Sequence, residues 1–230
     1  MVDLDNFICQ SHENLFKNKE CLKYLLSRGV DQDQINKYQF GYVEKKQLLP
    51  NHDNFKEWSR NGNLFFNRFI FPLKDTQGKI KAIGCRPYKG NGSYLYYYFN
   101  RAEATYFGIS NLEEVFKNEI CYLTEGIFDH IVLERVFKNS LCALTANISQ
   151  KQIRFLKRYT KTLVFLFDVD KIGNGRVNRV ITENPDLLIY RIGKFLQKSQ
   201  KAKDLNQLYQ ILGEEKFQEF IVEQNNLFIF

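Results

Sequence analysis

The chain has 230 residues, 44% of them hydrophobic and 26% charged, enough for one large domain or two small ones in an ordinary globular protein. No stretch approaches the roughly 20 apolar residues that span a bilayer, and the acidic opening MVDLDNFICQSHENLF lacks the apolar core of a signal peptide, so no membrane partner is expected. The net charge of +7 suits a polyanionic partner without singling one out. Cys9, Cys21, Cys85, Cys121 and Cys142 form no C-x-x-C pair and do not cluster with His12, His52 or His130. That dispersal argues against a disulfide frame or a structural zinc and fits reduced thiols in the cytoplasm.

The first sixteen residues carry no clear pattern. Asn18 to Ser27 then reads as a short helix stopped by Arg28-Gly29, and Asp31 caps a second over Asp33 to Tyr38. Phe65 to Leu73 and Lys79 to Arg86 have strand character, and the turn Asp75-Thr76-Gln77-Gly78 between them makes a hairpin. A second turn, Lys89 to Gly92, leads into the aromatic run Tyr94 to Phe99.

Near residue 117 the pattern becomes a regular alternation. Ile120 to Thr124 is an apolar strand, and Phe128 to Phe137 has helical spacing. Ser140 to Thr145 is a strand, and Ser149 caps a helix that runs to Tyr159. Thr162 to Phe167, TLVFLF, is apolar on both faces, as a central parallel strand is. A helix around Arg176 to Ile181, a strand over Asp186 to Ile192 and a last helix starting near Asp204 follow. The order β-α-β-α-β-α-β predicts an α/β fold, a doubly wound parallel sheet preceded by a smaller mixed subdomain. The expected domains are 1–116 and 117–230, the second ending in a helical tail.

Active sites of such sheets lie at the carboxyl ends of the strands. The first parallel strand ends at Glu125-Gly126, the third at Asp168-Val169-Asp170, and the loop after the fourth reaches Asp204. Asp168 and Asp170, two apart past a strand end, can turn into one crevice, and Glu125, ending another strand, can face them across it. Carboxylates packed together repel one another, and a hard divalent cation removes that cost. The set predicts a Mg²⁺ or Mn²⁺ site serving phosphoryl transfer. Each element also has a plainer meaning: Asp-x-Asp caps helices, and Asp129, four residues after Glu125, either joins the site or favours the helix N-terminus. No G-x-x-x-x-G-K-[ST] sequence is present, which disfavours a P-loop motor.

The segments YLTEGIFDHIVL, LTANISQKQIRFLKRY and VFLFDVDKIGNGRV resemble the TOPRIM domain of DnaG-type primases, topoisomerases and some nucleases. The continuation Asp170-Lys171-Ile172-Gly173 and the stretch KAKDLNQLYQILGEEKF resemble primases in particular. So do YLLSRGVDQDQINKYQFGYV, RFIFPLKDTQGKIKAIGCRPY and YYFNRAEATYFGISNL in the first half, and the likeness covers about Cys21 to Phe220. It implies Glu125, Asp168 and Asp170 as catalytic and metal-binding residues, with Asp204 joining the metal; Asp129 is the further metal candidate by its position after Glu125. It implies Arg68, Arg86, Lys171 and Asn100 as nucleic-acid or NTP contacts, and a core that makes short RNA primers on a single-stranded DNA template from NTPs. Nuclease action by the same carboxylates, or a non-catalytic DNA-binding subunit, are the alternatives.

The chain departs from the family at Tyr97, where a lysine is usual, before Tyr106-Phe107-Gly108, where a second lysine is missing, and at Thr145-Ala146-Asn147, which replaces a Gly-Thr. No zinc-binding module or helicase-binding region is recognisable. The expectation is an isolated core or a minimal, phage-type form that works in the cytoplasm with a separate zinc module and a replicative helicase. Lys151, Arg154, Lys157, Arg158 and Lys161 crowd one helix, either as a solvated face or as a DNA-backbone contact. Tyr94, Tyr96, Tyr97 and Tyr98 either pack in a sheet or stack on bases.

Overall fold

A computed structural model describes residues 3–45, 47, 65–88, 95–98, 106–145, 147–166, 171–191 and 202–229. The chain forms two compact units, 1–103 and 104–230.

In the first unit, helices α1 (Leu4–Lys17), α2 (Lys19–Ser27) and α3 (Gln32–Lys37) precede strands β1 (Gly41–Val43), β2 (Arg68–Lys74), β3 (Ile80–Pro87) and β4 (Leu95–Tyr98). Local chemistry sets the helix starts. Asp3 accepts the Asn6 N–H at 2.8 Å, the Asn18 side chain accepts the Cys21 N–H at 3.1 Å, and Asp31 with Gln34 forms a capping box. The strands pair antiparallel in the order β1-β2-β3-β4. Asp75 closes the expected hairpin by accepting the Gln77 and Lys79 N–H groups, each at 2.9 Å. Phe7 and Ile8 of α1 pack on the face carrying Val43, Ile70, Ile83 and Cys85. The opposite face carries Phe69, on which Tyr24 of α2 stacks at 5.6 Å, and Phe71, whose ring fills the space a side chain at Gly84 would need.

The second unit opens with a 3-10 turn (Ile109–Asn111) and α4 (Leu112–Asn118). The alternation follows as β5 (Ile120–Thr124), α5 (Ile127–Leu133), β6 (Ser140–Cys142), α6 (Gln150–Leu156), β7 (Thr162–Phe165), α7 (Lys171–Glu183), β8 (Leu188–Arg191), α8 (Leu205–Leu212) and α9 (Glu214–Ile229). The strands are parallel, in the order β6-β5-β7-β8. Side-chain alternation sorts the core into two layers. Cys121, Leu123, Leu163 and Phe165 meet Val115 of α4, Ile153 and Leu156 of α6, and Val177 and Val180 of α7. Tyr122 and Val164 meet Val132 and Leu133 of α5, Leu205 and Leu208 of α8, and Phe217 and Ile221 of α9. Helices thus cover both faces, the architecture expected from strands apolar on both sides.

Several details differ from the periodicity. The units divide before residue 104, ahead of the change in pattern at 117, because Tyr106 and Leu112 bury in the second core. The strand from Ser140 stops at Cys142, since Leu144 turns left-handed at φ 66°. α1, β1 and α4 had no expectation. Among the described residues no helix is long and apolar enough to cross a membrane.

Candidate functional site

β5 lies between β6 and β7, so the chain winds one way from β5 to β6 and the other way from β7 to β8. The gap between the carboxyl ends of β5 and β7 is the switch point where such sheets open a crevice. Glu125 follows β5 directly. The Leu166 N–H donates to the Leu123 carbonyl at 2.9 Å, so the chain leaves β7 level with the end of β5. Its continuation, Asp168 and Asp170 included, lies outside the described residues.

Glu125 is half-buried, and its backbone is pinned from the neighbouring strand: the Cys142 thiol donates to the Glu125 carbonyl at 3.2 Å. Burial pushes that thiol up to about 12, with the Asp129 and Glu125 carboxylates adding to the effect. Cys142 is the last residue of β6, so this pin ties the start of the Glu125 loop to the carboxyl end of that strand. Leu144, held in the left-handed region just past that strand, carries the kind of backbone strain that collects at functional sites.

Gly126 is the N-cap of α5, and Asp129 sits in the first helical turn. A Cβ at Gly126 would stand 2.5 Å from Asp129 Oδ2, so the missing side chain lets this carboxylate fold back toward Glu125. Asp129 Oδ1 accepts the Asn206 N–H of α8 at 2.9 Å, and Asn206 Nδ2 donates to the Phe128 carbonyl at 3.3 Å. These bonds clamp the first turns of α5 and α8 together. Asp204 lies two residues before Asn206, caps α8, and accepts the Gln207 N–H through Oδ1 at 2.6 Å. The fold thus sets Glu125 and Asp129 at the start of α5 and Asp204 at the start of α8, which docks on it, and the helix dipoles favour negative charge at both starts. Among the described residues no group of three or more His, Cys, Asp or Glu side chains is close enough to hold a metal ion. Carboxylate oxygens are nevertheless the donors that a hard divalent cation takes.

The other expected contacts divide among places. In the β2–β3 pair Phe69 faces Arg86 across the strands, whereas Arg68 pairs with Pro87, so the two arginines project from opposite faces of their sheet. Arg68 lies on the α1 side, close enough to Cys85 for its charge to act on that thiol, and its Nη1 is buried without a hydrogen-bond partner among the described residues. Lys171 is the first residue of α7. Asn100 and Tyr94 lie outside the described residues, and Tyr96, Tyr97 and Tyr98 belong to β4, paired with β3. The sequence reading missed the Cys142 pin and the Asn206 clamp. No local signal announces either, because the partners lie 17 and 77 residues apart.

A Toprim-like family model matches residues 122–209. The DNA primase of Aquifex aeolicus is 26% identical over 99% of this chain and 49% of its own length, so the chain spans about half of that relative. The solved structure of the Aquifex aeolicus primase zinc-binding and RNA polymerase domains superposes with a TM-score of 0.76 at 20% identity, over 98% of this chain and 60% of that one. A DnaG primase catalytic domain bound to single-stranded DNA superposes with a TM-score of 0.74 at 14% identity, over 98% of this chain and 77% of that one. The chain resembles bacterial DNA primases in sequence and has the fold of the DnaG catalytic core.

Proposed function

We propose that this chain is the catalytic core of a DnaG-type DNA primase, a DNA-directed RNA polymerase that makes short RNA primers on single-stranded DNA. The observation that carries the proposal is the position of Glu125 beside the β5–β7 switch point, with Asp168 and Asp170 following β7 in sequence. The likeness to primases over nearly the whole chain supports it.

Glu125, Asp168 and Asp170 would hold a divalent metal, Mg²⁺ or Mn²⁺, with Asp129 and Asp204 at its margin. A metal held there would supply Lewis acidity, lowering the pKa of the primer 3′-hydroxyl and offsetting charge on the triphosphate. The 3′-oxygen attacks the α-phosphorus of the NTP, and pyrophosphate leaves. Cys142 fixes the backbone of Glu125, and the Asp129–Asn206 clamp fixes the helix start beside it. Such positioning matters because small displacements of reacting groups cost large factors in rate. Arg68, Arg86, Lys171 and Asn100 are assigned to phosphates of NTP, primer or template, Arg through its planar fork. The template is single-stranded DNA, as in the DnaG catalytic domain bound to it. A separate zinc-binding module and a replicative helicase are the proposed partners, in the cytoplasm.

The test is incubation with single-stranded DNA, labelled NTPs and Mg²⁺ or Mn²⁺, beside the Asp168→Asn variant. New short RNA that disappears in the variant is expected. No RNA on any template with either metal would overturn the proposal. Metal-dependent loss of the DNA without NTPs would then mark a nuclease.

A further inference from the structure

The outer side of α6 has no role in the site described above. Residues 149–161, SQKQIRFLKRYTK, contain five basic residues and no acid. A Ser149–Gln152 capping box starts the helix, and its turns continue past Leu156 through the Tyr159 and Thr160 N–H groups, which donate to the Leu156 carbonyl. Ile153, Leu156 and Thr160 are buried, so the opposite side is fixed outward. Lys151, Arg154, Arg158 and Lys161 are exposed there.

Neighbouring acids do not neutralise this row. Asp186 binds Lys157 at 2.7 Å, and Glu183 is engaged by Arg179 and Gln150. Glu119, whose carbonyl accepts from Thr160, borders the far end. Lys151, Arg154, Arg158 and Lys161 form no ion pair among the described residues. Basic side chains at this density, without an ion pair among the described residues and on a capped helix, favour a polyanion. Phe155 and Tyr159 flank the row half-buried, 5.3 Å apart, and Phe155 is backed by Tyr106 at 6.0 Å. Both rings pack against the core of the second unit, and their exposed parts beside the cations supply the composition that holds single strands through phosphates and stacked bases.

Direction matters as well. α6 starts after β6, at the end of the sheet that carries Glu125, and residue 161 adjoins the start of β7 at the opposite end. At the helical rise the row is about 15 Å long. We infer that the outer side of α6 is an accessory, sequence-independent track for single-stranded nucleic acid, leading away from the Glu125 end of the sheet. The choice of nucleic acid over another polyanion rests on the proposed polymerase function; the track itself rests on the charge and aromatic pattern.

The test measures anisotropy of labelled oligothymidine on the whole chain across a salt series. The variant Lys151→Gln/Arg154→Gln/Arg158→Gln is compared with the charge-keeping Lys151→Arg/Arg154→Lys/Arg158→Lys. Loss of three phosphate contacts is expected to make the slope of log affinity against log salt shallower by about 2, with binding on the order of tenfold weaker at low salt. The charge-keeping variant should bind like the parent, and iodouridine in the oligomer should photocrosslink to Phe155 or Tyr159. An unchanged slope in the neutral variant, no binding by the parent, or crosslinks confined to other segments would overturn the track. Competition by polyglutamate as effective as by DNA would overturn its assignment to nucleic acid and point to an acidic protein segment. RNA synthesis is read separately, so a parent that shows the α6-dependent slope but makes no RNA fails the polymerase reading alone.

Discussion

Two side chains show how single atoms decide the local chemistry. At Gly126 the backbone, φ −96° and ψ 149°, is open to any residue, so conformational freedom is not the reason for glycine. The reason is the Asp129 carboxylate, 2.5 Å from where a Cβ would stand. Gly126→Ala should therefore displace Asp129 and loosen its bond to Asn206. RNA synthesis is expected to fall on the order of 10²-fold, while urea unfolding registers a loss of only about 1–2 kcal/mol. Activity equal to the parent would separate Asp129 from the site. Tyr106 is the converse case. Its hydroxyl is buried without a partner among the described residues, and burial pushes its pKa well up. An unmet buried hydroxyl costs about 1–3 kcal/mol, so Tyr106→Phe is expected to stabilise the second unit, measured by urea denaturation.

Among the elements, α8 carries the sharpest ambiguity. Asp204 caps it, and the proposed function also gives its carboxylate to the metal. The two roles separate by substitution, because serine caps a helix nearly as well as aspartate but offers no carboxylate. Asp204→Ala should lose about 1 kcal/mol of stability together with activity. Asp204→Ser should recover the stability, and activity should stay low if the carboxylate serves the metal. Recovery of both by serine would make Asp204 a cap alone. α5 and α8 act as one body in this respect, since the Asp129–Asn206 bond joins their first turns.

At the scale of the whole molecule, each unit has a buried thiol that limits stability in alkali. Burial pushes Cys85 in the first unit and Cys142 in the second up to about 12, and raises Cys121 in the second further still. An unfolded thiol ionises near pH 8.5. The folded pKa values are the higher ones, so this contribution is intact below about pH 8.5 and is lost as pH rises toward the folded values. By pH 10 the loss should be about 2 kcal/mol per thiol. Urea denaturation under reducing conditions at pH 7.5 and pH 10 checks this, and Cys121→Ala should remove about half of the dependence in the second unit, Cys142 keeping the rest.

Legible in the sequence alone were the alternation of strands and helices in the second unit, the helix caps at Asp31 and Ser149, the hairpin at Asp75 and the acids that follow β5 and β7 in the chain. These are local properties: side-chain period, turn chemistry and capping act within a few residues. Tertiary structure alone decided that β5 lies beside β7, that Asp129 meets Asn206, that Arg68 and Arg86 face opposite ways, and that Tyr106 belongs with the second core. Strand order, sheet register and long-range docking depend on which buried surfaces fit together across the fold, and no short window of sequence contains both partners.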